Sequence, residues 1–377
     1  MEQGQKGPAA DRPEKAPGIR LPGASQHKKE RGEARMSVER RPFGVTRDGR
    51  QVDKLLLRSG EMEAEVLTYG GRLAALRVPG PAGELVDVVL GCTTVEGYEA
   101  DAAYLGAIVG RCANRIGNGG FSIDGCRYDL VCNEGSKQLH GGPAGWSFRV
   151  FDAVQSGESA VTLTLREEDG ANGYPGTMDA SVTYTLTPEA LEIRYQAVCD
   201  RATVCNLTNH SYFNLNGGGS VLGHRLWLAA EAYTPVDEDS LPTALSAPVE
   251  GTPFDFRQEK PLGRDIGADH PQLCLAGGYD HNFQLRGTGE LALAARLTGD
   301  RIGIAMETWT TQPGLQLYTA NGLCQERDTK SGAPYGPREA VCLETQLPPD
   351  SPNHPQWGPV VLRPGQVYRQ TTVYRFL

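Results

Sequence analysis

Glu344 ends the apolar run Val341, Cys342, Leu343, a position at which a strand end would hold its carboxylate partly out of water. Desolvation raises a carboxyl pKa and makes the group a better base near neutrality. An imidazole with a similar opportunity is His210, which follows a strand-like alternation of Thr203, Cys205 and Leu207. Around it, residues 206–214 set three asparagines beside Tyr212 and Phe213. Amides next to aromatic faces suit a hydroxyl-rich ligand whose ring faces are apolar. By itself the stretch also reads as a polar turn ahead of Gly217, Gly218 and Gly219.

Four further clusters carry polar chemistry. Asn114 and Arg115 lie in residues 110–116, and an arginine there can fork two hydrogen bonds onto adjacent hydroxyls; a surface ion pair is the plainer reading. His140 precedes Gly141 and Gly142, which let backbone approach a ligand closely. Asp280 and His281 are neighbours, and neighbours on a strand face opposite ways, so at most one of them reaches a common site. Gln312 and Asn321 are candidate ligand contacts within an amide- and hydroxyl-rich segment, or ordinary turn residues. His140, His210 and His281 are not arranged at ligand spacing, there is no His-Glu-x-x-His, and no nucleophile elbow or phosphate loop is present. The expectation is therefore no metal and no cofactor.

The elements that must position these residues read as strands. Val161, Leu163 and Leu165 alternate with polar residues, Met178 to Leu186 repeats the pattern, and Leu191, Ile193, Tyr195 and Ala197 follow it. Such period-two runs predict long antiparallel strands with one buried face. Further strands are expected over residues 63–69, 72–78, 225–229, 291–297, 302–308, 315–318, 340–344 and 366–374. With 47 glycines and 25 prolines to supply turns, and almost no helical periodicity, the chain predicts one large antiparallel β-sandwich over residues 41–377. Residues 1–40 contain almost no large apolar side chains and read as a disordered extension.

A net charge of −9 argues against a nucleic-acid partner, and no run approaches the ~18 apolar residues of a membrane span. Nine cysteines, an odd number without a Cys-x-x-Cys pair, favour free thiols in the cytoplasm. The chain is expected to be a monomer or homodimer.

Taken in order, these stretches resemble the aldose 1-epimerase (galactose mutarotase) family. The resemblance runs through residues 110–116, 139–142, 206–215, 279–283, 311–314, 343–346 and 362–365, and covers about residues 43–377. Cys112 and residues 347–349 are minor departures. The resemblance implies a galactose mutarotase-like β-sandwich, with Glu344 as general base and His210 as general acid. It also implies that Asn114, Arg115, His140, Tyr212, Asp280 and Gln312 bind an aldose such as galactose or glucose. Interconverting anomers requires removing the C1 hydroxyl proton while protonating the ring oxygen, so both catalytic groups are expected to be ionised together at neutral pH. A sugar-binding protein without catalysis, or an epimerase of a phosphorylated hexose, are the rival readings.

Overall fold

In the computed structural model, which describes residue 1 and residues 37–286 and 289–377, strands dominate and three antiparallel sheets carry the architecture. The largest has nine strands in the spatial order Asp152–Gly157, Ala160–Glu167, Met178–Leu186, Ala190–Cys199, Tyr368–Phe376, Ala305–Thr310, Ala292–Thr298, Arg225–Leu228 and Lys260–Pro261. The C-terminal strand is thus an interior member, pairing with Ala190–Cys199 on one side and Ala305–Thr310 on the other. Chain end and chain middle are tied by the same ladder. Two smaller sheets complete the body: five strands from Ser37 to Asp87, and six formed by Tyr212–Phe213, Val341–Gln346, Gly314–Tyr318, Asp280–Leu285, Ala230–Tyr233 and Ala247–Pro248.

One core joins all three sheets. Leu57 and Val66 come from the five-stranded sheet, Val182, Ile193 and Leu297 from the nine-stranded one, and Phe283, Leu315 and Leu343 from the third. Along Met178–Leu186 every second residue is buried, as the sequence alternation predicts. Burying each such side chain contributes about 1.5–3 kcal/mol before conformational entropy is charged against it. The β-sandwich expectation holds.

The differences are local. The strand expected over residues 302–308 begins at Ala305, because residues 299–304 form a turn closed by Gly299 N–H donating to the Ile304 carbonyl. The extension expected over residues 1–40 lies outside the described residues up to position 36, but residues 37–40 already belong to the strand Ser37–Val45. Val38 pairs there with Leu57 and packs against the core, a contact that local composition could not signal.

Candidate active site

The six-stranded sheet supplies the floor of the site. Its strand Val341–Gln346 is buried on both faces. Val341 and Leu343 enter the main core, so alternation sends Cys342 and Glu344 to the opposite face. The register then sets Glu344 opposite Gln316, and Gln316 opposite Asn282. One row along, Cys342 faces Tyr318 and Tyr318 faces Asp280. Two carboxylates and two amides therefore share one face of the sheet through strand pairing alone.

His210 reaches this surface from the far side of the cavity. Its N–H donates to the Ala107 carbonyl and its own carbonyl accepts from Gly106 N–H, which fixes the backbone on both sides. The ring stacks on Tyr212 at 5.1 Å and under Tyr104 at 6.1 Å, with the Tyr318 and His140 rings meeting it edge-on. This aromatic sleeve aims Nε2 at Glu344 Oε1, 3.7 Å away. That separation is too long for a hydrogen bond. It leaves both groups open to a ligand in the cavity they line.

The flanking asparagines tie down the chain: Asn209 donates to the Gly106 carbonyl, Asn206 accepts from Leu347 N–H, and Asn214 donates to the Gly219 and Glu339 carbonyls. Asn114 and His140, both with left-handed backbone, interlock by two hydrogen bonds. His140 N–H donates to the Asn114 carbonyl, while Asn114 N–H donates to His140 Nδ1. A ring that accepts at Nδ1 and is neutral carries its proton on Nε2. His140 is therefore a donor. Gly141 completes the turn with φ +84, and a Cβ there would lie 2.0 Å from the Gly110 carbonyl oxygen.

Asn114, His140, His210, Tyr212, Asp280, Tyr318 and Glu344 line a cavity of about 250 Å³ together with Ala102, Ala103, Tyr104, Arg115, Leu139, Gly322 and Cys324. Arg115 presents a committed guanidinium, since Nε and Nη2 form a bidentate pair with Glu134 at 2.7 and 2.9 Å. Nη1 remains for a ligand. Asp280 accepts from Gln316 Nε2 at 2.7 Å.

Burial sets the protonation of the pair. Desolvation, reinforced by the Asp280 charge and opposed by Arg115, pushes the Glu344 carboxyl well above the usual carboxylate range. Desolvation takes His210 down to about 4, and it holds His140 well below its ordinary value. Both shifts run against the expected ionised pair: burial favours the uncharged form of each partner, because neither regains in mutual attraction what it loses in hydration. The pair still holds one proton. Moving it from Glu344 to His210 converts the neutral form into the ion pair without exchange with solvent.

His140, His210 and Glu344 also bring one potential ligand atom each within 4.8 Å of one another. A metal on His140 Nε2 would force a proton onto Nδ1, facing the Asn114 N–H that now donates to it. The donor set therefore fits a hydroxylated ligand and does not fit an ion.

The cavity gathers seven of the eight residues expected from the sequence: Glu344, His210, Asn114, Arg115, His140, Tyr212 and Asp280. Gln312 does not line it. Its amide is buried and donates to the Tyr368 hydroxyl at 3.4 Å, beyond the end of the strand that reaches the site. The amide beside the carboxylates is Gln316, which lies between the core residues Leu315 and Leu317 and so must face the other way. His281 likewise turns from Asp280 to meet Phe254 and Gln272, and Asn321 spends its amide on the Ala276 and Tyr279 carbonyls. Tyr318 was accessible by the same parity as Gln316. Tyr104, in an irregular segment with φ 57, gave no sequence signal.

A β-sandwich that buries an imidazole and a carboxyl together, ringed by tyrosines, amides and a tethered arginine, is the architecture of an acid–base enzyme for a polyhydroxy substrate. The chain belongs to the aldose 1-epimerase family, whose family model matches residues 53–375. It is 42% identical over 348 residues to the galactose mutarotase of Rattus norvegicus, a match covering 90% of this chain and 99% of the relative. It is 38% identical over 338 residues to the aldose 1-epimerase of Escherichia coli strain K12, covering 88% and 96%. Among solved structures it is similar to galactose 1-epimerase from Lactobacillus acidophilus, with TM-score 0.80 and 30% identity over 91% of this chain and 99% of that one. An aldose epimerase homologue from C. elegans superposes with TM-score 0.78 and 33% identity, covering 84% and 95%.

Proposed function

We infer that the protein is an aldose 1-epimerase, interconverting the α and β anomers of a free hexose such as galactose or glucose. The observation that carries this reading is the buried His210–Glu344 pair, 3.7 Å apart at the head of a hydroxyl-binding cavity. Glu344 takes the proton of the C1 hydroxyl and His210 delivers one to the ring oxygen, opening the ring to the aldehyde. Rotation about C1–C2 exposes the other carbonyl face, and the same groups run backwards to close it. Because the pair carries a single proton, this assignment requires that proton to pass from Glu344 to His210 as the sugar displaces water. The Arg115 charge, which acts on the Glu344 carboxyl, and the hydroxyls of the bound sugar offset the charge that forms. His140 Nε2–H and the Asp280–Gln316 pair hold ring hydroxyls, so that the open form stays in place until it recloses.

Arg115 is the one cationic side chain lining the cavity among the described residues, and two of its donors are held by Glu134. A phosphorylated sugar would want more positive charge, which favours an uncharged substrate. The nine thiols are all unpaired, in keeping with a reducing, cytosolic setting. Among the described residues no helix is long and apolar enough to cross a membrane. Polarimetry on freshly dissolved α-galactose, α-glucose and α-glucose 6-phosphate tests the reading. Fast relaxation of the free sugars is expected, while a preference for the phosphate or no acceleration at all would overturn it.

A further inference from the structure

Behind the cavity wall lies a buried ion pair that no proton-transfer step uses. Arg72 and Asp101 are both fully shielded from solvent, with Nη1 and Oδ2 2.8 Å apart. A buried pair is a costly way to gain stability, since apolar side chains of similar volume often do as well. Its hydrogen bonds show what it holds. The Asp101 carboxylate accepts from the N–H groups of Ala103 and Leu105, each at 2.7 Å. Arg72 donates to the Leu105 carbonyl at 2.7 Å and to the Ser147 carbonyl at 3.2 Å. Its guanidinium also lies over the ring of Tyr98.

The turn gripped in this way is the segment that forms one wall of the site. Ala102, Ala103 and Tyr104 line the cavity, and Tyr104 adopts φ 57, a conformation costly for an aromatic residue unless its surroundings impose it. From there its ring meets His140 edge-on at 4.8 Å and stacks over His210. Two residues on, Gly106 N–H donates to the His210 carbonyl. Both the ring and the backbone of His210 therefore rest on a turn whose shape the ion pair determines.

We propose that Arg72 and Asp101 are positioning residues for the epimerase reaction, acting through the Ala102–Ala103–Tyr104 turn to hold His210 in register with Glu344. The inference rests on the epimerase reading given above. The groups facing His210 are Glu344, His140, Tyr104, Tyr212 and Tyr318, with Arg72 behind them, and the Arg72 charge opposes protonation of the imidazole. Removing that charge while relaxing the turn changes geometry and basicity together.

The test compares four full-length variants with wild type by polarimetry on α-galactose over a pH series, with melting temperature as a control for folding. Arg72→Gln/Asp101→Asn removes both charges and keeps amide donors and acceptors. It is expected to lower kcat at least tenfold with KM within threefold, and to move the limb of the pH profile governed by His210 upward. Arg72→Lys, which keeps the charge and a donor, is expected to stay within threefold of wild type. Tyr104→Ala should also lower kcat at least tenfold, and adding it to the double variant should cost little more, because both changes act along one route. A folded double variant with wild-type kcat and profile overturns the proposal, as do fully multiplicative losses in the triple variant. If the double variant does not fold, an undiminished kcat in Tyr104→Ala does so. Inactive wild type would end the epimerase reading itself, whereas active wild type with insensitive variants ends only this inference.

Discussion

Replacing Glu344 with glutamine should make the protein slower and more stable at once, and the gain should depend on pH. The amide is nearly isosteric with the protonated carboxyl, so packing against Tyr212 and Tyr318 changes little. Catalysis loses its base, which costs about 10²–10⁴ in kcat, or ~2.7–5.5 kcal/mol of barrier. Stability follows from linkage. The Glu344 carboxyl titrates near 4.3 in the unfolded chain but well above its ordinary value when buried beside Asp280. Between those two values the folded state binds the extra proton, so wild-type stability falls as pH rises through that window. Below it nothing is lost. The accumulated penalty grows by about 1.4 kcal/mol for each pH unit climbed within that window. Glutamine has no such titration. Thermal unfolding of wild type and Glu344→Gln at pH 4.5 and 7.5, with polarimetry at the higher pH, checks both halves. Equal melting differences at the two pH values would refute the buried, uncharged carboxyl; an undiminished rate would refute its role as base.

Activity should be level across neutral pH and fall as pH drops through about 4, where His210 takes up a second proton and no base remains in the pair, as a pH–kcat/KM profile would show. Gln316→Leu should raise KM roughly ten- to hundredfold by stripping the amide from Asp280, whereas Gln312→Ala should leave KM within twofold; steady-state kinetics on galactose distinguish them. Dialysis against EDTA should leave the polarimetric rate unchanged, because the His140 tautomer set by Asn114 opposes metal binding; a rate restored only by added zinc would overturn that reading.

Strand parity decided which parts of the site the sequence could reveal. Glu344 was legible because Val341, Cys342 and Leu343 announce a doubly buried strand, and the Asp280–His281 pair had to split, as it does. The same rule applied to Leu315 and Leu317 points to Gln316, but the motif drew attention to Gln312 in the preceding turn. Protonation was less accessible. Charge attraction between Glu344 and His210 can be imagined from residue types, yet the hydration each one loses depends on tyrosine rings that come from three separate places in the chain. Tyr104 and its Arg72–Asp101 support were invisible for a related reason, since an irregular turn has no periodicity and its two anchors are 29 positions apart.

The strand that carries Glu344 has the protein core on one face and the cavity on the other, with no intervening layer. Truncating Leu343 would therefore cost about 2–5 kcal/mol and disturb the carboxylate in the same stroke. The opposite rim is built differently: Gly322 and Cys324 are small, exposed residues on a connecting segment, where substitutions disturb little else. Laboratory selection for new sugars should accordingly collect its changes at the mouth and leave the floor untouched, so that one inherited reaction can be offered to a shifting range of substrates.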